Sequence, residues 1–244
     1  MARFKFFVRL CKNSVKNKNQ VLGVLLTMIL VTGFEGYGGR AQNPSQAIVQ
    51  ALDGTTIKGH SIQAEVLPVD YQALKQAAVT LLDKHQPKIV IAFGLWPGEA
   101  TIRLERIGKN CADFEIPDNT GQMRSERVRP EGFDAHFTTL PIHSIRDRLL
   151  AAGIPARLSG SAGTFLCNVL TYSLLAHCHE QQLDTRCGFI HVPYLPAQAA
   201  EMLANLIQAQ SVEHHQRADI ASMSLELMLE AARLSIKTTL DDMA

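Results

Sequence analysis

Short, continuous runs of apolar and β-branched residues predict where the buried strands of this chain lie. Three runs are strong and two are weaker. The strong runs are MILVTGF (28–34), KIVIAFGL (88–95) and GFIHVPY (188–194), and the weaker ones are SIQAEVLPV (61–69) and GIPARLSG (153–160). Because these runs do not alternate with polar residues, they are typical of strands that are covered on both faces.

Helices are predicted between the strands, where apolar residues recur with a helical period. The segments are 44–52, 70–85, 141–153 and about 223–240. Asn43 is a suitable N-cap for the first, with Pro44 at its first position, and Gly153 marks the end of the third. Strands that alternate with such helices predict an α/β fold, a three-layer α/β/α sandwich with a largely parallel twisted central sheet. In such sheets, functional groups gather at the carboxyl ends of the strands.

The composition of the chain argues against some classes of function. The chain has 244 residues, 46% of them hydrophobic, with 24 Lys and Arg against 23 Asp and Glu. Residues 1–20 contain basic residues and no acid, so the remainder is mildly acidic and offers no electrostatic surface for nucleic acid. Five cysteines without a CxxC pair predict reduced thiols and a cytoplasmic protein. No metal is expected at His177 and His179, because residues two apart do not share a helix face.

The N-terminal segment resembles a signal peptide only in outline. A basic stretch precedes the apolar run 21–31, which is shorter than the roughly 20 residues that a membrane span needs. No small-residue cleavage site follows, and the run continues into the first predicted strand. We therefore interpret residues 1–27 as a basic, disordered extension, with Met28 as a candidate start, and residues 28–244 as one folded domain. A targeting leader is the alternative, but no membrane association is expected.

Cys167 is the first candidate reactive group. The turn-prone SGSAG (159–163) precedes it and runs into an apolar helical pattern, in which Thr164 or Ser161 could act as the N-cap. A thiol in the first turn of a helix lies at the positive end of the helix dipole, which favours the thiolate. Free backbone N–H groups there could also hold an oxyanion. The alternative is a structural cysteine, since free cysteine is among the most buried residue types.

Two further groups complete a possible catalytic set. His191 ends an apolar strand, one helix and one returning strand after Cys167, and an imidazole beside a thiol is the activation pair of cysteine hydrolases. Glu105 lies among apolar residues and could orient the imidazole, because a buried carboxylate needs a partner. The alternatives are a core histidine bonded to a backbone carbonyl, and a surface strand in which Glu105 pairs with Arg103 or Arg106.

These residues lie in segments that resemble pyroglutamyl peptidase I, also called pyrrolidone-carboxylate peptidase, a family of cysteine peptidases. Seven segments occur in the family's order across nearly all of residues 28–240. They are VTGFEGYGG…NPS (31–45), VLPV (66–69), GLWPGEATIRLERIGKN (94–110), IPDN (116–119), SAGTFLCN (161–168), GFIHVPYLPAQ (188–198) and SMSLELMLEAARLSI (222–236).

The resemblance implies a peptidase that removes N-terminal pyroglutamate from peptides, without a cofactor or metal. It implies Cys167 as nucleophile, His191 as general base and then acid, and Glu105 as the orienting carboxylate. It further implies a cytoplasmic protein that assembles as a homotetramer. The residues that match the family's substrate pocket, or that would add a wall to it, are Phe34, Tyr37, Asn43 and Ile116. Their alternative roles are packing for the first two and the last, and helix capping for Asn43.

The sequence also departs from the family's pattern. Gly36 and Tyr37 stand where the family has Pro and Phe, Gly160 where it has Asn, and Glu115 where it has an Arg near the active site. If that Arg helps to hold an oxyanion, the reversed charge would slow catalysis or change the substrate. The competing hypothesis is therefore a non-catalytic or altered homologue that binds small cyclic amides. A hydrolase or phosphorylase of similar architecture has no supporting motif, since neither a phosphate loop nor a G-x-S-x-G elbow is present.

Overall fold

The computed structural model describes residues 27–209 and 220–244, so the predicted extension 1–27 lies outside the described residues except for Thr27. The strands are β1 (Ile29–Phe34), β2 (Thr56–Ile57), β3 (His60–Leu67), β4 (Ile89–Leu95), β5 (Ile102–Glu105), β6 (Ile107–Lys109), β7 (Ala112–Asp113), β8 (Ser125–Glu126), β9 (Ala135–Phe137), β10 (Ala156–Ser159) and β11 (Arg186–Val192). The helices are α1 (Pro44–Leu52), α2 (Tyr71–His85), α3 (Ile142–Ala151), α4 (Leu166–Glu180), α5 (Pro196–Ala209) and α6 (Leu225–Asp242).

A seven-stranded sheet in the order β10–β5–β11–β4–β1–β3–β2 forms the centre of the fold. Its middle strands β3, β1, β4 and β11 are parallel. At one edge β2 is antiparallel to β3, and at the other β5 and β10 run together against β11. The predicted α/β class with a largely parallel sheet is confirmed. Because β1, β4 and β11 are parallel neighbours, their carboxyl ends meet at one edge of the sheet.

Helices cover both faces of the sheet, which gives the predicted three layers. One core lies against α1, α3 and α6, and the other lies against α2 and α4. Successive residues of β1 point to opposite cores: Ile29 and Val31 pack in the first, and Leu30 packs in the second. This two-sided burial is the physical reason why the strand appears in the sequence as an unbroken apolar run.

The structure corrects the predictions for β5 and for the cap of α4, and it adds α5 and the short strands β2 and β6–β9, which were not predicted. All five predicted strand segments contain strands. β5 was considered only as an alternative surface strand, because Arg103 and Glu105 interrupt its apolar pattern, but all four of its residues are buried. Neither Thr164 nor Ser161 caps α4: Phe165 is the N-cap, Thr164 Oγ1 donates to the Asp113 carbonyl, and Ser161 Oγ accepts from the Gly163 N–H. Within residues 27–209 and 220–244, no helix is both long and apolar enough to cross a bilayer.

Candidate active site

A pocket of about 300 Å³ opens at the edge of the sheet where β4 and β11 end and α4 begins. It is lined by Tyr37, Leu95, Trp96, Pro97, Glu115, Ile116, Ala162, Gly163, Thr164, Phe165, Cys167 and His191. Its location agrees with the expectation that sites form at the carboxyl ends of parallel strands. Its mostly apolar wall and small volume suit a compact, uncharged ligand group.

Cys167 lies in the first turn of α4 and reaches towards β4. A side-chain carbon added at Gly94 would come within 3.0 Å of the Cys167 Sγ and 2.7 Å of the Phe189 ring, so only glycine lets the thiol approach this strand. Within the part of the chain that the structure describes, no side chain caps α4, so its first N–H groups lack a side-chain acceptor next to the thiol. These groups could stabilise a negative oxygen that forms beside the sulfur.

The thiol is un-ionised at rest, contrary to the expectation drawn from its position on the helix. Burial, reinforced by the nearby charge of Glu105, raises the pKa of Cys167 to about 12. Desolvation therefore outweighs the helix dipole, whose effect is modest and restricted to the first turn. A thiol in this state needs a base that takes its proton as the sulfur attacks.

His191 and Glu105 form a buried pair behind the pocket. The His191 Nδ1 donates to the Glu105 Oε1 across 2.8 Å, and the two side chains are 1% and 0% exposed. The antiparallel register of β5 and β11, in which Arg103 faces His191, sets Glu105 diagonally across from the imidazole. With its Nδ1 bound to a carboxylate, the ring keeps Nε2 as the nitrogen that can accept a proton.

The imidazole is neutral at rest and held by aromatic rings. Burial lowers the pKa of His191 below its ordinary value of 6.5, although its bond to Glu105 opposes the shift. The Trp96 ring meets the imidazole edge to face with centroids 5.0 Å apart, and the Phe189 ring lies at 4.7 Å. The pocket thus holds a neutral thiol and a neutral, oriented base.

The four predicted substrate residues separate into two groups. Tyr37 and Ile116 line the pocket, and the Tyr37 ring packs 6.1 Å from that of Phe165. Phe34 is buried in the core and is not among the lining residues. Asn43 is also absent from the lining: its Oδ1 accepts from the Ser45 N–H and hydroxyl, and its Nδ2 donates to the Glu35 carbonyl. It is the N-cap of α1.

Sequence reasoning missed two residues of the site. Trp96 follows a strong predicted strand directly and is the single tryptophan of the chain, which is a signal that could have identified it. Arg103 was considered only as a surface partner of Glu105, but it is 6% exposed and its Nε donates to the Glu105 Oε1 across 3.2 Å. Glu115 is an exposed carboxylate in the pocket wall.

Comparison with known proteins decides the family. The Pyroglutamyl peptidase family profile matches residues 27–242. The pyrrolidone-carboxylate peptidase of Pyrococcus furiosus is 38% identical over 216 residues, which cover 88% of this chain and 99% of that protein. The chain belongs to the pyroglutamyl peptidase family.

Other members of the pyroglutamyl peptidase family support the assignment. The pyrrolidone-carboxylate peptidase of Klebsiella pneumoniae is 43% identical over 173 residues, which cover 70% of this chain and 80% of that protein. A solved structure of a mutant pyrrolidone carboxyl peptidase from P. furiosus superimposes with a TM-score of 0.81 at 37% identity, covering 89% of this chain and all of that one.

Proposed function

We propose that Cys167, His191 and Glu105 carry out the reaction of this pyroglutamyl peptidase, a cysteine peptidase that releases N-terminal pyroglutamate from peptides. The observation that supports the proposal is that the predicted nucleophile and the predicted base lie in the wall of one pocket. Cys167 and His191 line the same small cavity, and the imidazole is oriented by a carboxylate 2.8 Å from its Nδ1. Nucleophile, base and orienting acid form the arrangement that cysteine hydrolases use.

The reaction proceeds in two halves. The Cys167 Sγ attacks the pyroglutamyl carbonyl carbon while the thiol proton moves to the His191 Nε2, and Glu105 balances the charge of the imidazolium. The tetrahedral oxyanion accepts hydrogen bonds from N–H groups at the start of α4. The imidazolium then protonates the leaving amine, the C–N bond breaks, and a thioester remains. Water attacks the thioester as its proton moves to His191, which releases pyroglutamate and restores the thiol.

The pocket wall suits the flat, uncharged lactam of the substrate. Tyr37, Trp96 and Ile116 supply apolar surface, and the Tyr37 hydroxyl is a candidate hydrogen-bond donor to the lactam carbonyl. Phe34 supports this wall indirectly, because its ring lies 6.4 Å from that of Phe189, which packs on His191. Asn43 acts through the loop that carries Tyr37, since its Nδ2 holds the Glu35 carbonyl.

The test is release of a fluorophore from its pyroglutamyl amide. Cys167→Ala should lower kcat by at least about ten-thousandfold, because it removes the attacking atom. Cys111→Ala, which changes a partly exposed free thiol outside the pocket, should leave kcat unchanged. Alkylation of Cys167 by iodoacetamide, located by mass spectrometry, should abolish turnover, whereas alkylation of the partly exposed Cys111 should not. An active Cys167→Ala variant would refute the mechanism.

The same assay separates the second candidate function, a homologue that binds cyclic amides without turnover. Glu115 motivates this alternative, because it stands where the family has an Arg, so that an Arg able to help hold an oxyanion is missing at this position of the pocket wall. Calorimetric binding of free pyroglutamate by a wild-type protein that does not hydrolyse the amide would support it. Turnover that depends on Cys167 would exclude it.

Residues 28–244 form the peptidase domain in this proposal, and the protein acts as a cytoplasmic homotetramer. The family match over residues 27–242 supports the domain, and the strongly exposed rings of Phe133 and Phe137, 66% and 74% accessible, support an assembly surface. A chain that starts at Met28 should keep full kcat/KM, although it loses the hydrogen bond from the Thr27 N–H to the His60 Nδ1. Light scattering should give the mass of four chains, and fractionation of cells should place the protein in the cytoplasm.

A further inference from the structure

Arg103 is a buried cation that joins several parts of the site. Its Nε donates to the Glu105 Oε1 at 3.2 Å, and its Nη2 donates to the Ser159 Oγ at 2.7 Å and to the Ser161 carbonyl at 2.9 Å. Its guanidinium carbon lies 3.6 Å from the centre of the Trp96 ring. One side chain therefore touches the triad carboxylate, the loop that leads to Cys167, and the indole that packs on the imidazole.

The charges around His191 show what Arg103 contributes. The titratable and charged groups that face the imidazole or share its pocket are Glu105 and Arg103 on β5, Glu99 after β4, Tyr37 after β1, Cys167 on α4 and the solvent-exposed Glu115. Cys167 and Tyr37 are un-ionised, because burial raises the pKa of each well above its ordinary value. The Glu99 Oε2 lies 2.5 Å from the Arg157 Nη2 and 3.6 Å from the Arg103 Nη1, so Arg157 is its nearer cation. Arg103 is therefore the cation that compensates the fully buried Glu105.

This compensation determines whether His191 is free to act as a base. An uncompensated buried carboxylate is costly and favours the uptake of a proton. Without the guanidinium, the nearest place for that proton is the imidazole that already donates to Glu105. An imidazole that is already protonated cannot accept the proton of the Cys167 thiol. The positive charge of Arg103 lowers the pKa of His191, which agrees with this reasoning.

We propose that Arg103 is a positioning residue of this peptidase: its guanidinium keeps the His191 base neutral beside Glu105 and holds Trp96 and the loop at Ser161 in place around it. The inference rests on the proposed function for its effect on turnover. The protonation of His191 itself can be measured without turnover, so the two proposals can fail separately.

Trp96 provides the measurement. It is the only tryptophan in the chain, and its ring lies 5.0 Å from the imidazole. A protonated imidazole quenches indole fluorescence far more than a neutral one, so emission against pH follows the titration of His191 in the free enzyme. His191→Asn should abolish the transition, which identifies it. The wild-type midpoint should lie below 6.5, the ordinary value that burial lowers.

Four variants test the role of the charge. Arg103→Met, and Arg103→Gln as a second neutral variant that keeps an N–H donor, should raise the midpoint by about 1 to 2 pH units. Arg103→Lys keeps the charge and should leave the midpoint close to wild type. Arg157→Met is the matched control, because Arg157 binds the same Glu99 but is half exposed and does not contact Glu105. A cooperative thermal transition qualifies each variant as folded.

Kinetics test the positioning role. At pH 7, Arg103→Met and Arg103→Gln should lower kcat by about a hundredfold with KM nearly unchanged, and kcat should recover partly as the pH rises through the new midpoint. Arg103→Lys should lose kcat without a change of midpoint, because an ammonium cannot bridge Glu105 and Ser159 while stacking on Trp96. A neutral variant with the wild-type midpoint, or an Arg103→Lys variant with wild-type kcat, would overturn the proposal.

Discussion

The inner end of the pocket, here called the floor, and its solvent-exposed opening, here called the mouth, are built from different elements. The floor consists of His191 with Glu105 behind it, and the mouth consists of Glu115 and Ile116. At the floor, Glu105 and His191 are 0% and 1% exposed, lie on neighbouring strands and bind each other. At the mouth, Glu115 and Ile116 lie on a loop; Ile116 is 42% exposed and the Glu115 side chain is also accessible to water. Charges at the floor act in a dry environment and affect every proton transfer, whereas a charge at the mouth is screened. The reaction therefore depends on the strands, and selectivity depends on the loop.

Exchanging a carboxylate for an amide in each region should give the largest difference in kcat between the floor and the mouth. Glu105→Gln keeps the shape of the side chain but removes the charge that stabilises the imidazolium, so kcat should fall by roughly 10² to 10⁴ with little change in KM. Glu115→Gln is the matched control at the mouth and should keep kcat within about twofold. Steady-state kinetics with a neutral pyroglutamyl amide measures both. Equal losses in the two variants would show that the floor and the mouth do not differ in this way.

The pH at which the Cys167 thiol ionises distinguishes the effect of burial on its pKa from the effect of its position at the start of a helix. Because burial raises the pKa of Cys167 to about 12, the thiol stays protonated throughout the neutral range, and thiolate forms only in strong alkali. The difference in absorbance at 240 nm between wild type and Cys167→Ala should therefore show no thiolate step up to about pH 9. A step near pH 7 would mean that the helix dipole dominates and that the resting site holds a thiolate–imidazolium pair.

Substitutions of Asn43 test whether this residue stabilises the loop at the pocket mouth or binds the substrate directly. Asn43→Ala should lower the free energy of unfolding by about 1 to 2 kcal/mol, because it removes the side-chain cap of α1. Asn43→Asp keeps the cap acceptor but sets a buried carboxylate oxygen against the Glu35 carbonyl, so it should recover only part of this stability. Chemical denaturation measures the stability, and KM for the pyroglutamyl amide measures the substrate contact. A large rise of KM in both variants at unchanged stability would instead favour direct binding of the lactam by Asn43.

The smallest effect is expected at the mouth itself. Glu115 lines the pocket and faces solvent, so it should favour a cationic residue after pyroglutamate. Glu115→Arg should change the ratio of kcat/KM between pyroglutamyl-lysine and pyroglutamyl-glutamate amides by about two- to fivefold in favour of the acidic one. The change should shrink as salt is added. A ratio that is unaffected by the charge reversal would place the downstream residue away from Glu115.

Several parts of the fold and site could be predicted because they depend on local pattern. Continuous apolar runs revealed the central strands, and the spacing between Cys167 and His191 brought both to one edge of the sheet. The burial of β5 was missed because its two charged residues, Arg103 and Glu105, break the apolar pattern. They are buried because they bind each other and also His191 and Ser159, and a pattern that treats every charged residue as exposed does not reveal such pairing.

The sequence by itself determined the order of the elements, the two-sided burial of the sheet and the three reactive residue types, since these follow from periodicity and chain connectivity. Only the tertiary structure decided the state of the groups. Cys167 is un-ionised because distant segments remove water from around it, and Glu105 is compensated by a guanidinium that also binds Ser159, far along the chain. Desolvation and charge pairing depend on contacts between segments that are far apart in the sequence. These contacts exist only in the complete fold.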